Sequence, residues 1–379
     1  MKRVNKTIGI DASRCRSGGA ISHIQGLFSG PSFQNYGVET VHLWAPDSLL
    51  DSVPDRHGLV KHYLGLSSKP LFYQLYWQAF VLPRLATKYK LDLLFNADSS
   101  TLCSFTPCVT LNQDLLAFEE SEKSRYSIFS FTRLRLELIS RIQLSALSRS
   151  SHVIFLSRYA QDLLTAKIAV RSSSIIGHGF DPLFALRDCD CSPAIGESVN
   201  ILYVSNIEPY KHHVTVVKAV HRIRRASLLD LRLTLIGEGT HAGTTRQLRS
   251  CIRKLDPLGR FVTMLPGIPR PSLRVYLSSS DIFVFASSCE SFGITLLEAM
   301  AAGLPIACSS RSSLPEIAAD SALYFDPEDF LSLSIVLEAL LSSESLRSSL
   351  SRNAVKRSNA FTWNASFSAT WSLLANYSR

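Results

Sequence analysis

The chain has 379 residues, 46% hydrophobic and 19% charged, which excludes a disordered or fibrous protein and fits about two to three domains. A chain of that length holds a core without disulfides or metals. Forty Lys and Arg against 31 Asp and Glu leave a net +9, so nucleic acid, an anionic membrane face or phosphorylated ligands compete as partners with a merely solvated basic surface. In chain order, short apolar runs predict strands at 7–11, 39–44, 92–96, 107–111 and 152–156. A second series follows at 199–204, 231–236, 261–264, 282–285 and 304–308. Runs rich in Val, Ile, Leu and Phe with few charges fit strands covered by helices on both faces. Their alternation with helical patterns predicts an α/β protein with parallel sheets. Between the two series, 177–198 carries Gly177, Gly179, Pro182, Pro193 and Gly196 and reads as a linker. Domains at 1–185 and 186–360 follow, with a closing helix over 361–379.

Eight cysteines are present, and none forms a C-x-x-C pair; Cys189 and Cys191 come nearest. Zinc-ligand spacing is absent, and buried free thiols in a reducing compartment are expected. The apolar piece after Met1 is too short for a signal peptide, and no run of 18 apolar residues exists. The expected location is cytoplasmic, with room for contact at the inner face of the cytoplasmic membrane.

Residues 281–317 carry the most chemistry. A strand, Ile282 to Phe285, enters a small polar loop and the turn Glu290-Ser291-Phe292-Gly293. A helix from Ile294 to Ala302 follows, stopped by Gly303 and Pro305. The amides of Gly293, Ile294 and Thr295 lack intrahelical acceptors, and with the helix dipole they suit a diphosphate. Glu290 stands before the helix, and Glu298 lies inside it beside Leu297, Ala299 and Met300. A glutamate on an apolar helix is costly to bury unless hydrogen-bonded, and ribose hydroxyls would satisfy it. The ordinary alternative is one acid favouring the dipole and another on a solvated stripe.

This segment resembles the E-x7-E signature of the retaining glycosyltransferases of family 4, which adopt the GT-B fold of two Rossmann-like domains facing across a cleft. The resemblance covers nearly the whole chain. It implies that Glu290 contacts the donor sugar, that Glu298 binds the nucleotide ribose, and that Phe292, Gly293, Ile294 and Thr295 present amides to the sugar and β-phosphate. Residues 201–211, ILYVSNIEPYK, resemble the loop that opens the second domain and supplies an Arg and a Lys to the diphosphate. Lys211 matches the Lys. Asn206 stands at the Arg position and Ser205 at a common Gly, so diphosphate binding leans on Lys211. Residues 232–239 resemble the next strand and Gly turn, in which Gly237 and Gly239 shape the backbone. Pro266-Gly267-Ile268 resemble the loop that holds the base, which makes Gly267 a donor-site candidate. The last helix of the family often crosses back to the first domain.

In the first domain, Ile10-Asp11-Ala12 followed by Gly18 and Gly19 resembles the first strand and Gly-Gly loop, where backbone approaches a phosphate or sugar closely. A flexible loop is the plain alternative. Asn112, Gln113 and Asp114 stand where the family often has a His; Asn112 or Gln113 would hydrogen-bond the donor, and Asp114 could equally cap a helix. Ser157 reads as an N-cap. His178 joins the candidates for the sugar or acceptor cleft, with a structural role as the alternative.

Asp188-Cys189-Asp190 spells a D-x-D, a metal motif of the other glycosyltransferase fold class, but it lies in the linker. The resemblance implies no metal ion and no cofactor, the nucleotide diphosphate-sugar being a substrate. GDP-mannose is the first expectation for the donor, with UDP-sugars next, and a growing surface glycan or lipid-linked saccharide is expected as acceptor. Aromatic residues over 70–82 and arginines over 133–149 would be core and solvated face, or a surface meeting a lipid-linked acceptor at an anionic membrane. Rival readings are a catalytically silent homologue, an epimerase-like enzyme on the same fold and a basic nucleic-acid-binding protein. No nucleic-acid motif supports the last.

Overall fold

The computed structural model describes residues 6–15, 18–65, 69–185, 198–227 and 229–377. Asp188-Cys189-Asp190 lies outside them. The chain divides into two units, one of 1–179 with 363–379 and one of 180–362.

The first unit is built on seven parallel strands. These are β1 (Lys6–Asp11), β2 (Val38–Trp44), β3 (Leu59–His62), β4 (Leu93–Asn96), β5 (Cys108–Asn112), β6 (His152–Phe155) and β7 (Ser173–Ile175), in the order β3-β2-β1-β4-β5-β6-β7. The second has β8 (Ser198–Val204), β9 (Asp230–Ile236), β10 (Val262–Leu265), β11 (Ile282–Phe285), β12 (Ile306–Ser309) and β13 (Ala322–Phe325), in the order β10-β9-β8-β11-β12-β13. Every pairing is parallel. Central strands are buried along their whole length, as β11 and β12 show, because helices cover both sheet faces. Strand order reverses between β1 and β4 and between β8 and β11. Loops diverge at these points, and their carboxyl ends are where such sheets bind ligands.

The first unit ends at Gly179 and resumes at Trp363, rather than at 185 and 361. Packing explains the difference. The Phe180 N–H donates to the Phe361 carbonyl at 3.2 Å, and the Phe184 ring lies 5.0 Å beneath the Arg270 guanidinium. Both phenylalanines thus belong to the second unit. The closing helix, Trp363–Asn376, packs inside the first unit against Gly18–Leu27. The Trp371 indole N–H donates to the Leu27 carbonyl at 3.0 Å, and its ring meets Phe28 and Phe33.

His178 is buried here. Its Nδ1 lies 3.3 Å from Nδ1 of His23, and Trp363 packs against both rings. This closed setting replaces the expected role in a sugar cleft. Burial holds His23 down at about 4, and burial plus the neighbouring His23 holds His178 well below the usual imidazole value. Both depressions mean that the folded state binds fewer protons than the unfolded chain below about pH 6.5. The stabilisation is complete above that pH and is lost as pH falls toward 4. Each imidazole is expected to cost about 2 kcal/mol at pH 5. Thermal melts at pH 7 and pH 5 check this, and equal midpoints for wild type would refute it.

Candidate functional site

The reversal between β8 and β11 gathers the chemistry of the second unit. β8 delivers the chain to Pro209–Lys211, a single 3-10 turn that Pro209 favours by fixing φ. His212 then takes the left-handed conformation, φ +47°, and starts the helix His213–Ala226. The turn is tied down on two sides. The Tyr203 hydroxyl donates to the Lys211 carbonyl at 2.7 Å, and the Ser288 N–H donates to the Tyr210 carbonyl at 2.9 Å. His212 Nε2 lies 2.8 Å from Ser288 Oγ. The two loops of the switch point are therefore stitched to each other.

Lys211 Nζ bonds Glu290 Oε1, and both side chains are largely shielded from water. The ammonium also lies 5.1 Å from the Tyr210 ring centroid and 5.8 Å from that of Phe285. Glu290 does not depend on Lys211 for its place. Its N–H donates to Ser312 Oγ at 2.9 Å, and the hydroxyls of Ser312 and Ser313 donate to its carbonyl at 2.7 and 2.9 Å. Ser312 itself sits at φ +61°.

Three residues beyond Glu290 the chain turns at Gly293, where φ is +94° and an added Cβ would meet Leu314 Cδ2 at 3.0 Å. Glycine fits this turn because it lacks that Cβ. The helix Ile294–Ala301 begins there with no capping side chain. Its first-turn amides, those of Ile294 and Thr295 among them, have no intrahelical acceptor. The Phe292 side chain is buried against Phe361, anchoring the turn from below.

Glu298 lies one further turn and more into that helix, 2% exposed. Ribose hydroxyls were the expected partner. The structure supplies a protein one: Arg270 Nη2 donates to Glu298 Oε1 at 2.6 Å. Arg270 opens the helix Arg270–Ser278 and also lies 3.9 Å from Asp181. Burial raises the Glu298 carboxyl to about 7, against the opposing pull of Arg270. The second carboxylate oxygen, Oε2, has no partner among the described residues.

A second stitch joins the loops after β8, β9 and β10. Asn206, exposed, accepts the Glu238 N–H on Oδ1 at 3.2 Å, and Glu238 Oε1 accepts the Gly267 N–H at 2.8 Å. Asn206 thus positions a loop with its amide oxygen, and the Gly267 N–H is already taken rather than open to a base. An added Cβ on Gly237 would lie 2.0 Å from the Ser205 carbonyl oxygen, so glycine is what lets these loops touch.

The remaining candidates lie in the first unit. Gly18 and Gly19 open the helix Gly18–Leu27, with Gly18 exposed at φ +56°. Asn112 is fully buried at the end of β5, and its Nδ2 donates to Ser99 Oγ and the Asp114 carbonyl, both at 3.2 Å. Gln113 donates to the Ala97 carbonyl at 2.7 Å. Asp114 accepts the Leu116 N–H at 2.9 Å and so closes a turn rather than capping a helix. These contacts make Asn112, Gln113 and Asp114 supports of the β5 loop, not exposed donors to a sugar. Ser157 caps the helix Arg158–Thr165, accepting the Ala160 N–H as expected.

Sequence reasoning missed Arg270, Glu238, Ser312 and Ser313. Arg270 follows Pro269 at a helix start, where a cation opposes the dipole, and that local misfit is the one signal it gives. The serines are lost among many serines.

Two parallel Rossmann-like sheets with a charged constellation at the switch point define the GT-B architecture. Residues 192–357 match the family Glycosyl transferases group 1. The O-antigen chain mannosyltransferase B of Escherichia coli is 25% identical over 227 residues, covering 59% of this chain and 56% of that one. The chain thus spans about half the length of the curated relatives it matches. Sucrose-phosphate synthase from Thermosynechococcus elongatus superposes with a TM-score of 0.75 at 18% identity, covering 97% of this chain and 98% of that one. Anabaena Alr3699/HepE, in complex with UDP and glucose, gives 0.74 at 17% identity over 98% and 100%. Among the described residues no helix is long and apolar enough to cross a membrane.

Proposed function

We propose that the chain is a retaining glycosyltransferase of family 4 that moves a sugar from a nucleotide diphosphate-sugar to a hydroxyl of a growing glycan or lipid-linked saccharide. The observation that carries this reading is the Lys211–Glu290 pair at the β8–β11 switch point, beside an uncapped helix whose second turn holds Glu298. Lys211 and the amides after Gly293 meet the negative charge that grows on the departing diphosphate, which is electrostatic catalysis. Glu290 faces the sugar, and Glu298 Oε2 accepts from the ribose. No protein nucleophile and no metal ion enter this reading, since the acceptor attacks from the face the diphosphate leaves. Mannose is the favoured sugar, supported by the mannosyltransferase relative, and the UDP complex of a structural neighbour keeps uridine donors in the panel.

The test is thermal stabilisation by GDP, UDP, GDP-mannose and UDP-glucose, followed by transfer of labelled sugar from the nucleotide that binds. Saturation at about 100 times Kd adds about 2.7 kcal/mol, a shift of a few degrees. No shift with any of the four at millimolar concentration would overturn the reading.

A further inference from the structure

Two helical segments of the first unit leave large apolar side chains in water. On the segment from Leu71 to Lys88, Phe72 is 73% exposed, and Leu71, Tyr73, Tyr76 and Phe80 are exposed with it. The second segment is the loop and helix ending at Arg149. Ile128 is 74% exposed, Phe129 92% and Phe131 81%, and Leu134 and Leu138 extend the stripe along the helix Phe131–Arg149 at i+3 and i+7 from Phe131. Isolated exposed side chains need no explanation, but two runs of this size do.

Topology places both runs on one side. The crossover from β3 to β4 and that from β5 to β6 advance in the same direction along the sheet. Right-handed crossovers then set both helices on the same sheet face. The charge of this face is one-sided. Segment 69–90 carries Lys69, Arg84, Lys88 and Lys90 and no acid. On the second helix Arg135 and Arg141 are exposed without an acidic partner among the described residues. The nearby acids are consumed internally. Glu120 pairs with Lys123 at 2.6 Å, Glu122 with Arg125 at 2.5 Å, and Glu137 with Lys123 at 3.3 Å and Arg133 at 3.6 Å.

We infer that this face of the first unit docks on an anionic lipid bilayer, with Phe72, Tyr76, Phe129 and Phe131 entering the interface and Arg135 and Arg141 meeting lipid phosphates. Aromatic and aliphatic side chains rimmed by unpaired cations fit the headgroup boundary, where apolar burial and attraction to anionic lipid add. An acidic protein would answer the arginines, but it would leave the phenylalanine tip at 129 and 131 without a complementary pocket. The inference goes beyond the donor-site reading and does not rest on it.

Co-sedimentation with vesicles tests it, using phosphatidylcholine alone and phosphatidylcholine with phosphatidylglycerol. Wild type should partition to the anionic vesicles, and added salt should weaken the binding. Arg135→Glu with Arg141→Glu should lower partitioning by about fivefold or more per site. Phe129→Ser with Phe131→Ser should abolish most of it, and the nucleotide-induced thermal shift should survive in both variants, showing that they fold. Equal sedimentation with both vesicle types, no sedimentation with either, or variants that bind like wild type would overturn the inference. So would light scattering that finds a wild-type dimer which Phe129→Ser with Phe131→Ser makes monomeric, since the face would then meet a second copy.

Discussion

Lys211→Ala is expected to lower the rate of sugar transfer about 100- to 1000-fold, with KM changed far less. The argument is one of differential charge. A donor diphosphate already carries negative charge when bound, but its leaving oxygen gains more as the glycosidic bond breaks. A cation held against that oxygen is therefore worth most in the transition state, and losing one such donor typically costs about 2.7–4 kcal/mol. Shielding strengthens the effect, because Lys211 is little exposed and packed against the Tyr210 and Phe285 rings. The alternative account is that removing Lys211 lets the Glu290 loop collapse. The main-chain clamp by Ser312 and Ser313 speaks against it, since it holds Glu290 without the lysine. Glu290→Gln separates the two accounts. Combined with Lys211→Ala it should cost much less than the sum of the single losses, as groups that act as a unit do. A kcat for Lys211→Ala within tenfold of wild type would remove the lysine from the chemistry.

The legible parts of this chain were those in which local physics and tertiary role coincide. All-apolar runs such as Ile282 to Phe285 announced central strands, since a strand buried on both faces needs no alternation. The strands that escaped are β3, β7 and β13, and all three lie at sheet edges. Their sequences, Leu59 to His62 and Ser173 to Ile175 above all, are short and half polar because one side meets water, so no apolar run marks them. The site divided in the same way. Lys211, Glu290, Gly293 and Glu298 were readable because a strand, a turn and a helix start fix them within a few residues of sequence. Arg270 and Glu238 were not, since each acts on a residue about thirty positions away, across loops that only the β8–β9–β10 pairing brings together. Asn112 and His178 show the converse. Polar residues at strand ends suggested ligand contacts, and burial turned them into internal supports.

Glu298→Gln is expected to stabilise the ligand-free protein at pH 8 and to weaken nucleotide binding about 10- to 100-fold. The opposition comes from burial. The carboxyl is raised to about 7 although Arg270 stands against it, so desolvation outweighs the ion pair. Between about pH 4.5 and 7 the folded state holds a proton that the unfolded chain has lost. The stabilising contribution is therefore complete below about 4.5 and falls away as pH rises through 7. Glutamine titrates nowhere in that range, so the variant should gain on wild type by about 3 kcal/mol between pH 4.5 and 8. Melts of both proteins across that range read the gain directly, and parallel curves would refute it. Arg270→Ala should move the other way, destabilising at pH 8 by about 1–3 kcal/mol because the carboxylate is left buried without its cation. Adding Glu298→Gln to that variant should restore most of the loss. A glutamate that costs stability, is held by an arginine at one oxygen and keeps the other free is hard to explain as scaffold. A ribose diol would take Oε2 while Arg270 keeps Oε1, and the bound nucleotide would then favour the ionised form that the empty fold resists. Nucleotide affinity should accordingly rise with pH through 7 in wild type and stay flat in Glu298→Gln.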